Sequence, residues 1–323
     1  MMTDRFLLYI LCASLVPGAW SHGHGGGDVS IERITPRGST RESHVKSIVE
    51  FWTPERMASA EPMEVVMING TDRWGQYERQ DGPEQWVPGV MPTINESSVL
   101  RSSSVPSTVG KVFFVMNGRN YLCSAAVVVA PNRDTVLTAA HCVFDYTLQQ
   151  WASDWIFVPR YSSGSQPFGK WVWRKMAALN AWTNKQNYNY DVAVVLLDTN
   201  YQGRHVQEYT GALGMTRNYN KKAWIHSFGY PVNFANGQAM STCAASSKSA
   251  WSLWSGGFCG VKMPCGMNGG SSGGPWIQQY NTDTRSGLQT SVNSFVYPNE
   301  PDVMYGPYFG NDIWNLHEKY EGQ

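Results

Sequence analysis

Apolar and polar positions alternate in short runs from about residue 110 onward. Lys111–Met116 and Tyr121–Ala130 are β-type runs on either side of Asn117-Gly118, a pair suited to the left-handed backbone of a two-residue hairpin turn. Pro131-Asn132-Arg133-Asp134 reads as a second turn, and Thr135–Thr138 as the strand after it. Trp155–Val158, Trp171–Arg174, Val192–Leu197, Ala223–Ser227, Trp276–Tyr280 and Leu288–Val296 continue the series. Many short strands with turn residues between them predict an all-β sandwich or barrel. The pattern changes at Asn311–Tyr320. There Ile313, Leu316 and Tyr320 recur at helical spacing and Asp312 falls in the first turn, so a terminal helix is expected.

The start of the chain is different. Met1–Ser21 carries Arg5, the apolar run Phe6–Val16, and small residues at Ala19 and Ser21, which reads as a secretory signal peptide. The run is too short for a membrane-spanning helix, and no later stretch is long and apolar enough, so no membrane partner is expected. His22-Gly23-His24 would then lead the chain. A free amine with histidine third can hold Cu(II), but a flexible leader is the preferred reading and no metal or cofactor is expected. Residues 22–101 are charged, contain scattered proline and lack cysteine. They carry eight basic against twelve acidic residues, net −4, whereas residues 102–323 carry sixteen against twelve, net +4. Opposite signs suit a prosegment lying against its own enzyme. Both Asn-x-Ser/Thr sequons, at Asn69 and Asn95, fall in this segment, and Val65–Ile68 is a short apolar run within it. A polar segment of this size buries little core, so a detachable propeptide is expected rather than a separate domain.

Chemistry concentrates at Gly269–Trp276, Gly-Gly-Ser-Ser-Gly-Gly-Pro-Trp. Six small residues cannot build a helix or a packed strand, but they can form a tight turn whose amides face one shared space. A serine there has a nucleophilic hydroxyl with amide donors beside it, which is what acyl transfer requires. A flexible Gly/Ser linker is the alternative. Two segments weigh against it. Thr138-Ala139-Ala140-His141-Cys142 places a histidine after a β-rich run, and Asp191 heads the apolar run Val192–Leu197. Imidazole can take the serine proton, and a buried carboxylate can fix its tautomer. The other histidines (His22, His24, His44, His205, His226 and His317) have no comparable context.

With these motifs the sequence resembles the trypsin/chymotrypsin superfamily of serine proteases, and most nearly the secreted bacterial and fungal branch that includes glutamyl endopeptidases. The order His, Asp, Ser matches, with fifty residues from His141 to Asp191 and eighty-one from Asp191 to Ser272. The resemblance covers roughly 110–309. It implies two six-stranded antiparallel β-barrels with a short C-terminal helix, preceded by a signal peptide (1–21) and a propeptide or N-terminal extension (22–101), with the protease domain at 102–323. Gly-Xaa-Ser-Gly-Gly-Pro aligns on 270–275, so Ser272 is the implied nucleophile, His141 the base and Asp191 its partner. The amides of Gly270 and Ser272 form the implied oxyanion hole. Gly266, Asn293, Ser294 and Phe295 fall at substrate-binding positions, with Ser294 also placed to support Asp191. Five cysteines remain after signal removal. The family likeness pairs Cys123 with Cys142 and Cys243 with Cys265; Cys259 is then odd, and it is an alternative partner in place of Cys243.

Two departures matter. Ser271 stands where animal trypsins carry the aspartate that receives the new N-terminal amine. Gly266 and Asn293 stand where trypsins carry a specificity aspartate and glutamyl endopeptidases a histidine. Trypsin-like cleavage is therefore not expected, and a preference for glutamate is unsupported. The sequence reads as a secreted, monomeric serine endopeptidase made as a zymogen, acting on proteins or peptides and bound by its own prosegment. The alternative is an inactive homologue that serves as a binding module. No phosphate loop and no basic stripe for nucleic acid occurs.

Overall fold

The computed structural model describes residues 28–33, 40–63, 82–94, 105–250 and 257–323. The expected signal peptide (1–21), the start at His22 and His24, the run 65–68, both sequons (Asn69 and Asn95) and the 101–104 boundary lie outside the described residues. In chain order come strand β1 (Val29–Arg33), helices α1 (Arg41–Phe51) and α2 (Pro54–Ala58), and strands β2 (Glu61–Pro62) and β3 (Gln85–Val87). Then follow β4 (Val109–Met116), β5 (Arg119–Val127), β6 (Thr135–Thr138), β7 (Phe144–Asp145), β8 (Gln150–Trp151), β9 (Ser153–Pro159), β10 (Trp171–Leu179) and β11 (Ala193–Leu197). The second half holds β12 (Gly214–Arg217), β13 (Trp224–Gly229), β14 (Ser241–Ser246), β15 (Lys248–Ser249), β16 (Val261–Pro264), β17 (Pro275–Asn281), β18 (Ser286–Val292), β19 (Phe295–Tyr297) and β20 (Glu300–Gly306). A helix at Asn311–Tyr320 follows them, as its spacing predicts.

The first half closes into a barrel in the order β10-β11-β6-β5-β4-β9, with β9 pairing back to β10. The β4–β5 hairpin turns at Asn117 and Gly118, with φ of 49° and 71°, the left-handed geometry the pair was expected to supply. The second half holds a sheet β14-β13-β17-β18-β12-β3 and a sheet β15-β16-β20-β19. The Cys243–Cys265 disulfide joins β14 to the chain just after β16, where no ladder among the described residues joins the two sheets. Leu288–Val296, read as one strand, is two. The ladder stops at Val292 because Asn293 and Ser294 turn their backbones to Gly274 and Tyr305.

The N-terminal segment is more closely integrated than its composition suggests. β1 pairs with β10, β2 with β5 and β3 with β12, so it adds a strand to both halves. Thr40 and Thr53 cap α1 and α2 by accepting the Ser43 and Arg56 amides. Ile48, Trp52 and Met57 project into the core at 2 %, 0 % and 1 % exposure. Each such side chain contributes roughly 2 kcal/mol of burial. Trp52 packs on Phe113 with ring centroids 5.6 Å apart and donates its indole N–H to the Asp154 carbonyl. Trp155, Trp182 and Trp276 also fill the core, whereas Trp86 and Trp224 are exposed.

Between the halves, the buried Lys111 of β4 donates to the Gly237 carbonyl at 2.8 Å and lies 4.9 and 4.8 Å from the Phe113 and Tyr161 ring centres. Desolvation pushes its pKa down to about 8.

The C-terminal helix is held by His317, buried, whose Nε2 lies 3.0 Å from the Val129 carbonyl. Burial pushes its pKa down to about 4 from an ordinary 6.5. Between those values the unfolded chain binds a proton that the folded chain does not. Stability therefore falls as pH drops from about 6.5 to about 4, by roughly 3 kcal/mol. Glu321, 3.3 Å from Nδ1, has its carboxyl raised by burial and by Glu318, and contributes a slope of the opposite sign. Urea unfolding of wild type and His317→Gln across this range is expected to show the acid-dependent loss attributable to His317 only in wild type. Parallel pH profiles for the two proteins would contradict it.

Candidate active site

The turn at 269–276 is pinned from both halves. Asn293 accepts from Ser227 Oγ and Trp276 Nε1 at 2.8 and 2.7 Å and donates to the Ser271 carbonyl at 3.1 Å. Its backbone exchanges 2.8 Å bonds with Gly273 and Gly274. From the first barrel, the Ser124 amide reaches the Ser272 carbonyl at 2.7 Å and the Ser124 hydroxyl the Gly270 carbonyl at 2.9 Å. Gly270 has φ +93° and Gly273 φ +81°, and a Cβ at Gly273 would stand 2.1 Å from Thr138 Oγ1, so the turn requires glycine there. The two serines have different surroundings. The Ser271 hydroxyl is spent on the Asn268 carbonyl at 2.7 Å within the same loop. The Ser272 hydroxyl faces the cleft.

His141 lies in the short turn Ala140–Cys142 directly after β6, tied to β5 by the Cys123–Cys142 disulfide. Asp191 follows the turn Tyr188–Tyr190 and is fully buried. Its carboxylate accepts from the His141 amide at 2.9 Å, pairs with His141 Nδ1 at 2.8 Å and accepts from Ser294 Oγ at 2.6 Å. A carboxylate against Nδ1 places the proton on that nitrogen and leaves Nε2 as the acceptor. Nε2 is buried and has no partner among the described residues. Ser272 Oγ instead donates to the Met63 carbonyl at 3.2 Å, a contact invisible in the sequence. The amides of Gly270 and Ser272 bond no acceptor among the described residues.

Beside Ser272 is a narrow pocket lined by Asn268, Ser294, Phe295, Val296 and Met304, with no charged side chain among the described residues on its walls. Ser294 and Phe295, expected at substrate-binding positions, are among the residues that line it. Gly266 and Asn293 do not line the pocket. The Gly266 carbonyl accepts from Asn233 at 2.8 Å, and Asn293 is buried behind the serine turn it braces. Val296 and Met304 were missed because the motifs end at Phe295 and β20 carries no motif. Both disulfides form as the family likeness implies, and Cys259 is in neither.

A buried Asp–His pair against a serine turn with two open amides defines a class, the chymotrypsin-like serine hydrolases. The trypsin family model matches residues 103–308. The protease Anisep from Arthrobacter nicotinovorans is 33 % identical with a TM-score of 0.62, over 69 % of this chain and 99 % of that one. The thermostable serine protease AL20 from an extremophilic microorganism is 32 % identical with a TM-score of 0.62, over 68 % of this chain and all of that one (100 %). A Glu endopeptidase in complex with MPD shares the fold at 17 % identity, TM-score 0.52, over 73 % and 98 % of the two chains. Comparison with curated proteins found no match. This chain belongs to the trypsin family and is a serine endopeptidase by descent and fold.

The unequal serines give a direct expectation. Ser272→Ala is expected to lower the turnover of the processed enzyme on the order of 10⁶-fold, the scale of removing a serine nucleophile. Ser271→Ala is expected to keep about half or more, since it loses only one loop hydrogen bond. Steady-state assays of both variants check this. A larger loss from Ser271→Ala would show that the register of the turn is misassigned.

Proposed function

We propose that the chain is a secreted serine endopeptidase, made as a precursor and acting through Ser272, His141 and Asp191. The observation that carries the reading is the Asp191–His141 pair set against the braced turn of Ser272, in a trypsin-family chain. Ser272 attacks the scissile carbonyl while His141 Nε2 takes its proton. Asp191 holds Nδ1–H and stabilises the imidazolium that forms. The amides of Gly270 and Ser272 receive the oxyanion. His141 then protonates the leaving amine, and water hydrolyses the acyl-enzyme by the same steps in reverse order. The alternative of an inactive homologue gains no support, since none of the three side chains is replaced.

Substrates in this reading are proteins or peptides. The walls formed by Phe295, Val296 and Met304 favour a short, uncharged side chain before the cut bond. Secretion follows from the signal-like 1–21, and two disulfides suit an oxidising compartment. No helix among the described residues is long and apolar enough to cross a membrane. We assign 22–101 as a prosegment removed near Arg101-Ser102, and the mature enzyme as a monomer that binds neither nucleic acid nor membrane.

Activation by a buried new amine requires a carboxylate beside the nucleophile. Ser271 supplies none and is bonded to Asn268. Mature forms starting one or two residues early are therefore expected to retain most activity. N-terminal sequencing of the secreted enzyme locates the start, and assays of staggered starts test the mechanism. A sharp optimum at one terminus would overturn it. A fluorophosphonate probe is expected to label the processed enzyme at Ser272, and a processed enzyme that stays unlabelled would overturn the protease reading itself.

A further inference from the structure

We propose that Glu61–Pro62–Met63 is an inhibitory strand that occupies the catalytic cleft and captures the Ser272 hydroxyl. The proposal rests on the protease reading above and specifies how the precursor is kept inactive. β2 runs parallel to β5, with Glu61 opposite Tyr121 and Pro62 opposite Leu122. The Met63 amide donates to the Leu122 carbonyl at 3.0 Å, and Glu61 pairs with Arg119 at the outer end. These contacts bring the Met63 carbonyl to 3.2 Å from Ser272 Oγ.

The direction of that bond decides what the strand does. An active serine donates its proton to His141 Nε2, which here has no partner among the described residues. The proton instead points at Met63, so the hydroxyl is not coupled to its base. Met63 is not held as a substrate either. A carbonyl about to be attacked has its oxygen on the oxyanion donors and its carbon over the nucleophile. The Met63 oxygen receives the serine proton, while the amides of Gly270 and Ser272 bond no acceptor among the described residues. The strand thus blocks the cleft without presenting a bond for cleavage.

The Glu61–Arg119 pair is exposed and holds little by itself. The anchors lie upstream. Trp52 and Met57 are buried, Lys170 Nζ donates to the Val49 and Trp52 carbonyls at 3.0 and 2.6 Å, and five residues of β1 pair with β10. Tethering to so firm a base gives three residues a high effective concentration at the site. It also means that one cut near Arg101 does not clear the cleft, because residues 28–33 and 40–63 stay seated. Activation then takes two steps, cleavage and release.

The test is the rate at which a fluorophosphonate labels Ser272 in the uncut chain, the cut but undissociated chain and the processed enzyme. The uncut and cut forms are expected to label at least tenfold more slowly than the processed enzyme. Met63→Pro, which removes the amide bonded to Leu122, and the triple change Glu61→Gly, Pro62→Gly, Met63→Gly are expected to raise the uncut rate toward the processed one. Both leave Trp52, Met57 and Lys170 in place, and an unchanged melting temperature confirms the fold. If the uncut wild type labels as fast as a processed enzyme that itself labels at Ser272, the inhibitory strand is overturned and the protease reading stands. The proposal is likewise overturned if both uncut variants, folded, label as slowly as uncut wild type. If the processed enzyme fails to label, both readings fall.

Discussion

The site depends on one buried charge. Asp191 has no exposure to solvent, and an unpaired carboxylate in such a place costs several kcal/mol. It is tolerable because three donors converge on it: the His141 amide, His141 Nδ1 and the Ser294 hydroxyl. The first two come from the first barrel and the third from the second half. The charge is therefore satisfied only when both halves are folded and docked, which couples the fold to the chemistry proposed for it.

Two pairs of adjacent residues transmit that constraint to the serine turn. Cys123 ties the histidine turn to β5, and its neighbour Ser124 holds the Ser272 and Gly270 carbonyls. Ser294 meets Asp191, and its neighbour Asn293 braces the turn through Ser271, Gly273 and Gly274. Successive side chains of an extended chain point to opposite sides, so one dipeptide can serve both the carboxylate and the nucleophile. Asn293 thus has a structural reason for its position, although the sequence placed it on the substrate.

What the sequence showed and what it concealed follow from the same physics. The Asn117-Gly118 hairpin, the strand Thr135–Thr138 and the helix Asn311–Tyr320 are set by local geometry and short-range periodicity, so they were legible. β14 was not: Ser-Thr-Cys-Ala-Ala-Ser has little apolar contrast, and its pairing with β13 forms the strand. The break in Leu288–Val296 was hidden because distant partners make it. The N-terminal segment reads as polar with little core of its own, since its anchors are few and widely spaced. Ile48, Trp52 and Met57 hardly change its composition, yet they fix it to the barrel. The Met63 contact with Ser272 follows from that docking, and no motif encodes it.

The measurement that bears most directly on the central role of Asp191 is kcat/KM of the processed enzyme carrying Asp191→Asn at neutral pH. An amide of nearly the same size keeps the packing but presents a donor where His141 Nδ1 needs an acceptor, favouring the wrong tautomer. A fall of about 10⁴-fold with the fold intact is expected. A fall smaller than tenfold would contradict the assignment of Asp191 as the group that orients His141.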